Sequence, residues 1–366
     1  MISMEKVWQL CLDSGLDFAA YRPPDKEITT VIQYRKEPLT PAREITKGPG
    51  FLISPYRTGS CKAILISPDM VITGDKTDKE LLLRLSHCGK KEKIRPCGKT
   101  ATSSFEQYIG QAQKAIAAIK GGDFEKIVLS RVQMVKGSKR DLSAAIFLRM
   151  CRKYPRSFVY IFQAKGHLWL GATPETLVSI KDGSFKTMSL AATRKDIPAN
   201  WEINNWSTKE RQEQRYVTDY IADLLDKYQI TSAQKSRTYP RRAGNLLHLC
   251  NEFTCDAGEI YNKLSQFINE LHPSPAVCGI PKKKVQEFLA ELEGHDREYY
   301  AGFLGPVNIA ANQIDLYVNL RCMRVCDDQV RLYIGGGLTA DSIPEDEWAE
   351  TAAKAETLLS VLSECQ

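Results

Sequence analysis

The chain has 366 residues, 43% hydrophobic and 26% charged, with 50 Lys and Arg against 44 Asp and Glu and a net charge of +6. That is a soluble globular composition, and its basic residues are scattered, the densest cluster being Lys282, Lys283 and Lys284 without interleaved aromatics, so no nucleic-acid footprint is expected. No apolar run reaches the ~18–20 residues that span a bilayer, MISMEKVWQLCLDSG has neither the basic start nor the long apolar stretch of a signal peptide, and eleven cysteines without a CxxC pair point to free thiols of a reducing cytoplasm rather than to a disulfide framework or a zinc site.

Residues 1–100 are weakly patterned. AAYRPP, KEPLTPARE and TKGPGF read as loops punctuated by Pro and Gly, and KAILISPDMVIT as a strand, a turn and a second strand. At Ser104 the texture changes: Phe105, Tyr108, Ile109, Ala112, Ile116 and Ile119 recur at helical spacing behind Ser104 as N-cap, and Gly121-Gly122 end that helix. KIVLSRVQMV reads as a strand, 141–153 as a helix, and SFVYIF, HLWLGA and TLVSI as short strands. A long polar helix is predicted over roughly 207–228, then a loop around TYPRRAGN. A run from Leu246 to Phe253 follows, with helices at 258–270 and 282–293 and three strands between 300 and 336, AGFLGPVNI, DLYVNLRCMRV and QVRLYIG. A last helix runs from about Pro344 to Leu362, with Pro near its start and acidic residues in its first turn, where the helix dipole favours them. Runs of strands joined by turns, with helices between groups and no dividing linker or repeat, predict one large α+β domain with antiparallel sheets.

Lys126 heads an apolar strand. It either snorkels to water or stands as a desolvated amine, able to act as a base if its pKa falls from ~10.4 toward neutrality. Arg131, five residues on, points to the other face. Glu175, after Pro174, is either simply exposed or a general acid delivered by a rigid turn. Glu210 and Glu213 stand at i, i+3 on the polar helix, and Glu347, Glu350 and Lys354 share one face of the last helix. Each group alone reads as a solvated charged face. Paired across a cleft, they offer carboxylates for one hard divalent ion such as Mg²⁺, which takes one or two carboxylates, keeps waters and accepts substrate oxygens. Gly335-Gly336-Gly337 permit close backbone approach, and N–H groups there could hold a carboxylate. His272 reads as a hydrogen-bonded structural residue, and His248 carries the same ambiguity. With no HExxH, a His-based zinc site is not expected.

EKIVLSR, LGATPE, SLAATR, STKERQEQ, LHPSPAVCGIP, DREYYAGFLG, NLRCMRV, YIGGG and PEDEWAETAAKAE occur in this order over about residues 105–360. With them the chain resembles the chorismate-utilising enzymes, which include isochorismate synthase, salicylate synthase, anthranilate synthase component I and aminodeoxychorismate synthase component I. The resemblance implies antiparallel β-sheets packed face to face with helices outside. Residues 101–366 would form the chorismate-binding catalytic domain and 1–100 a divergent N-terminal part of the same fold. In members that deliver ammonia the first position of the KIVLSR segment is usually Gln; in members that use water it is Lys, as Lys126 is here. Ala191 falls where the aminodeoxychorismate enzymes carry a nucleophilic Lys. A water-using, Mg²⁺-dependent isochorismate synthase is thus implied, interconverting chorismate and isochorismate as a cytoplasmic monomer without a glutaminase subunit, for menaquinone or siderophore biosynthesis.

By the same resemblance, neutral Lys126 takes a proton from the water attacking C2 of chorismate. Glu175 gives a proton to the departing C4 hydroxyl. Glu213 and Glu350, with Glu347 and Glu210 close by, would hold the ion on the ring carboxylate. Arg321 and the amides near Gly335 and Gly336 would take the enolpyruvyl carboxylate. Lys354 would add positive charge beside the ring, and Ala276 and Tyr300 would line the pocket. Two departures bear on the shape of that pocket: Ala192, among its residues, replaces the usual Gly, and Asn251 the usual Thr or Ser. Salicylate synthase, which keeps the Lys and goes on to eliminate pyruvate, is the rival reading, ahead of anthranilate synthase component I and a non-catalytic binding protein.

Overall fold

The computed structural model describes residues 2–35, 48–57, 61–88, 96, 102–137, 139–243 and 246–365. The chain opens with β1 (Ile2–Ser3) and α1 (Met4–Ser14), followed by β2 (Asp17–Arg22), β3 (Thr29–Gln33), β4 (Gly50–Ser54), β5 (Ile64–Ile66), β6 (Met70–Thr73), β7 (Lys76–Thr77) and α2 (Lys79–Ser86). Then come α3 (Phe105–Lys120), β8 (Lys126–Lys136), α4 (Ser143–Lys153), β9 (Phe158–Ala164), β10 (His167–Thr173), β11 (Thr176–Lys181), β12 (Ser184–Lys195) and α5 (Thr208–Lys227). The remainder comprises β13 (Gln234–Lys235), β14 (Tyr239–Ala243), β15 (Leu246–Asp256), α6 (Ala257–Ile260), α7 (Leu264–Leu271), β16 (Gly279–Ile280), α8 (Lys282–Leu292), β17 (Phe303–Val307), β18 (Ile314–Val318), β19 (Cys322–Val325), β20 (Gln329–Leu338) and α9 (Pro344–Leu362).

β1 and β7 pair with each other, and the other described strands form two nine-stranded antiparallel sheets. The first runs β16-β8-β20-β19-β10-β9-β2-β3-β6; the second runs β13-β15-β12-β11-β18-β17-β4-β5, with β14 also on β15. The fold is therefore α+β with large antiparallel sheets. Inward residues of both sheets share one apolar cluster that includes Tyr21, Phe51, Phe158, Trp169, Leu304 and Tyr317. The rings of Phe158, from the first sheet, and Tyr317, from the second, stack at 4.0 Å. A second cluster covers the other face of the first sheet: Trp8, Phe147, Leu358 and Val361 of α1, α4 and α9 lie on Phe18, Leu168, Met323 and Leu332. Burial on both faces explains why β9 and β10 are apolar without alternation.

Helix starts follow their caps. Ser104 accepts from the Gln107 N–H at 3.2 Å while Gln107 Oε1 accepts from the Ser104 N–H at 3.0 Å, a reciprocal pair that satisfies two donors. None of the described helices is long and apolar enough to cross a membrane.

Several expectations are corrected. AAYRPP is no loop: Asp17–Arg22 is a central strand of the first sheet, buried from Phe18 onward. TYPRRAGN contributes β14 as far as Ala243; its Gly-Asn lies outside the described residues, as does all of KEPLTPARE. DLYVNLRCMRV is two strands in different sheets, β18 and β19. The chain turns between them at Arg321, whose φ of +46° no extended strand can hold. Helix 258–270 is broken into α6, a 3₁₀ turn and α7. Eight described cysteines are free thiols, but Cys326 is disulfide-bonded.

Candidate active site

β8 is buried without a break from Lys126 to Val132, so its first residue has no wet side. The Lys126 side chain is fully buried and does not snorkel; its Nζ lies 3.1 Å from Glu213 Oε1 of α5. Gly337 lets the two meet. A Cβ at that position on β20 would stand 2.4 Å from Glu213 Oε1 and 3.2 Å from Lys126 Cε. Arg131 goes the other way, as alternation predicts. Its Nε donates to Thr351 Oγ1 at 2.7 Å and its guanidinium lies 4.2 Å over the Trp348 ring, both on α9.

Two crossings between the sheets carry the next pair of residues. At the first, β10 of one sheet passes into β11 of the other through Pro174 and Glu175. At the second, β18 passes into β19 through residues 319–321. The crossings are bonded to each other. The Val318 N–H donates to the Glu175 carbonyl at 3.0 Å, the Ala172 N–H to the Arg321 carbonyl at 3.0 Å, and Thr173 Oγ1 to the Val318 carbonyl at 2.6 Å. Glu175 is only 4% exposed. Burial pushes its carboxyl up to about 8, against the opposing pull of the Lys126 charge, so it is protonated at neutral pH.

Glu175, Glu213, Ala192, His248, Ala276, Tyr300, Arg321, Gly335 and Lys354 line one cavity. Its wall includes a bulge: opposite His248 of β15, the register of β12 slips between Ala191 and Arg194. Ala192 there takes φ of +57°, the left-handed position where Gly is favoured, so its methyl is held at some strain. His248 Nδ1 is 2.8 Å from the Ala192 carbonyl and must donate, since a carbonyl only accepts. Nε2 then faces Arg321 Nη2 at 3.5 Å as an acceptor. Burial and the charges of Arg321 and Lys354 bring the imidazole down to about 3, so it is neutral. Arg321 reaches Thr357 Oγ1 at 3.3 Å but forms no ion pair among the described residues. Burial lowers its guanidinium to about 10, against the pull of Glu350. A desolvated cation without an anion is a receptor for a carboxylate.

The acidic residues divide. Glu210 is bound by Arg194 through both oxygens, at 2.5 and 2.6 Å, and Ser207 Oγ accepts its N–H in the cap of α5. It is not among the residues that line the cavity. Its place was legible: Ser207-Thr-Lys-Glu210 is the S-x-x-E pattern of a reciprocal cap. Glu347 Oε1 accepts from Lys209 Nζ at 2.9 Å and Ser342 Oγ at 2.7 Å. Burial and the Glu350 charge hold the Glu347 carboxyl above its usual range. Glu350 pairs with Lys354 at 2.6 Å, and Lys354 Nζ also donates to the Gly335 carbonyl at 3.0 Å. Against burial, the Lys354 charge holds the Glu350 carboxyl below its usual range, and Glu347 and Glu350, one turn apart on α9, are a hard-oxygen donor set suited to a divalent cation. No three acidic, His or Cys side chains converge into a closed cage among the described residues, so such an ion would draw its other ligands from water or a bound molecule.

Tyr300 is buried and stacks on Tyr333 at 5.6 Å; a Cβ at Gly335 would meet its hydroxyl at 2.6 Å. Gly336 lies between Leu129 of β8 and the Glu347 and Tyr108 side chains. The three glycines therefore lie within β20 and let side chains approach the backbone. His272 is apart, edge-on to Phe303 at 4.9 Å. The sequence reading left His248 undecided. It stands on β15, in the other sheet from Lys126, opposite the β12 bulge, and no local spacing marks it.

Residues 69–363 match the family model described as chorismate binding enzyme. Isochorismate synthase EntC of Escherichia coli K12 is 31% identical over 271 residues, 71% of this chain and 67% of EntC. Anthranilate synthase component 1 of Aquifex aeolicus is 26% identical over 269 residues, 70% of this chain and 52% of that protein. The solved structure of MenF, the menaquinone-specific isochorismate synthase of Escherichia coli, aligns with a TM-score of 0.77 at 19% identity, covering 99% of this chain and 91% of that one. At that identity the likeness is one of fold.

Proposed function

The chain belongs to the chorismate-binding enzyme family, and from that premise we propose that it is an isochorismate synthase, adding water at C2 of chorismate and releasing the C4 hydroxyl reversibly. The observation that carries this reading is a fully buried amine, Lys126, acting electrostatically on a buried, protonated carboxyl, Glu175, that lines the cavity. Water attacks poorly until it loses a proton, and hydroxide leaves poorly until it gains one. In its uncharged form Lys126 accepts the first proton, and Glu175 supplies the second; in the reverse direction the two exchange roles. Arg321 takes the enolpyruvyl carboxylate, helped by the neutral His248 that fixes one edge of its guanidinium. Lys354 and Tyr300 bound the ring. Glu213 and Glu350 would hold Mg²⁺, with Glu347 restrained by Lys209 and Ser342. Bound there, the ion would neutralise the ring carboxylate and draw the Glu213 charge away from Lys126. Because water is the nucleophile, no ammonia-supplying partner is needed, and the chain acts as a single cytoplasmic subunit.

Chorismate turnover by the wild type, Lys126→Ala and Glu175→Gln, with and without EDTA, tests the assignment. Each variant should lose at least ~10²-fold in rate, the usual scale for a lost general acid or base, and chelation should abolish turnover. A Lys126→Ala variant as fast as the wild type refutes water activation by Lys126. Fluorescent salicylate among the products would reassign the protein to the salicylate synthases, and anthranilate formed with ammonium present to the anthranilate synthases.

A further inference from the structure

Glu347, Glu350 and Lys354 mark the working stripe of α9, and the same helical step carries that stripe one turn further, to the buried Thr357. Arg321 Nη1 donates to Thr357 Oγ1 at 3.3 Å. A guanidinium only donates, so the threonine oxygen is the acceptor. The threonine is itself fixed from behind. The hydroxyl of Tyr154, at the C-terminal end of α4, donates to the Thr357 carbonyl at 2.5 Å. Neither Thr357 nor Tyr154 lines the catalytic cavity, whereas Arg321 does, so both act through Arg321.

Arg321 needs such a hold. Its backbone is set by the crossing, where its carbonyl accepts the Ala172 N–H at 3.0 Å, but a long side chain keeps its rotamer freedom until its head is bound. The carboxylate whose charge pulls on it is Glu350. A guanidinium turned to Glu350 would lose its charge to an internal pair and would take a carboxylate from the acidic end of the site. Thr357 and His248 are both uncharged acceptors, at 3.3 and 3.5 Å from separate terminal nitrogens. They fix two arms of the fork without cancelling its charge, and the remaining N–H groups are left for a carboxylate.

We propose that Thr357, steadied by Tyr154, is a positioning residue. Its hydroxyl holds the Arg321 guanidinium in the orientation that receives the side-arm carboxylate of the substrate, and so sets how strongly the site prefers a dicarboxylate to a monocarboxylate. This rests on the assignment of Arg321 to the enolpyruvyl carboxylate.

Isothermal titration of the full chain, with MgCl₂ present, tests it with two ligands that differ by one carboxylate, meta-(carboxymethoxy)benzoate and meta-methoxybenzoate. The wild type should bind the dicarboxylate at least about tenfold tighter, the scale of a hydrogen bond to a charged group. Thr357→Val keeps the shape and removes the hydroxyl. Its affinity for the dicarboxylate should fall about tenfold while that for the monocarboxylate changes less than about twofold. Thr357→Ser should recover most of the preference, and Tyr154→Phe should fall between the wild type and Thr357→Val. With chorismate, the KM of Thr357→Val should rise by a larger factor than its kcat falls. Equal weakening of both ligands would make Thr357 a structural residue only and overturn the proposal. So would a Thr357→Val variant with the wild-type preference, a Thr357→Ser variant no better than Thr357→Val, or a Tyr154→Phe variant that matches the wild type. Those outcomes leave the role of Arg321 intact. A wild type without preference for the dicarboxylate would overturn that role, and this proposal with it.

Discussion

Glu175 is held protonated by burial, and a carboxyl so placed costs the fold more as pH rises. Its folded-state value of about 8 lies above the ~4.3 of an unfolded Glu. Its contribution is therefore fully present below the unfolded value and is lost as pH rises toward 8. The isosteric Glu175→Gln variant removes that dependence. In urea titrations it should be more stable than the wild type by a few kcal/mol at pH 9, with the gap shrinking to about 1 kcal/mol at pH 5. In the proposed mechanism the same group is the acid, so kcat/KM of the wild type should fall above about pH 8 as it ionises. A flat alkaline limb would remove Glu175 from that role. Lys126 was legible because an amine heading an apolar strand is a chemically odd place for charge, whereas Glu175 in its Pro turn reads equally as simply exposed and was marked by the LGATPE motif. Their burial was not legible, since it depends on what α5 and the crossing strands bring over them.

At the scale of elements, glycine on β20 leaves the room in which Glu213 of α5 reaches Lys126. A Cβ at Gly337 would meet the far end of the flexible Glu213 side chain rather than backbone. Glu213 can swing aside cheaply, but it then leaves Lys126. Gly337→Ala should therefore fold with an unchanged far-UV spectrum and a denaturation midpoint close to the wild type, yet lose about 10²-fold or more in turnover, the scale of a misplaced catalytic group. A large stability loss with activity retained would contradict this. The glycine run itself was plain in the sequence, and so was the cap at Ser104. The assignment of Glu210 to a metal set was not supported by its surroundings: its position three residues after Ser207 commits it to the cap, and Arg194, sixteen residues upstream, takes its oxygens.

For the whole molecule, the site lies on the seam between the two sheets. Lys126 and Gly337 belong to the first sheet, Ala192 and His248 to the second, and Glu175 and Arg321 to the crossings that join them. The relative placement of the sheets is thus part of the catalytic geometry. Phe158 and Tyr317, stacked at 4.0 Å between them, hold that placement. Phe158→Ala should cost about 3–5 kcal/mol by the usual measure of a large aromatic cavity, read by urea denaturation, and a loss under 1 kcal/mol would mean the seam closes without this contact.

What the sequence by itself determined is the local chemistry: an order of motifs, cap signals, helix faces and breaks, and the residue types that acid–base work on a dianionic ring requires. These depend on neighbours within a turn or two of chain. What only the tertiary structure decided is which of those residues meet. Lys126 and Glu213 are brought together across two elements, Glu175 and Arg321 by a change of sheet, and His248 stands opposite a bulge on the neighbouring strand. Burial, and with it the protonation of Glu175 and the bare charge of Arg321, is a property of the packed sheets, because water is excluded only once both are in place.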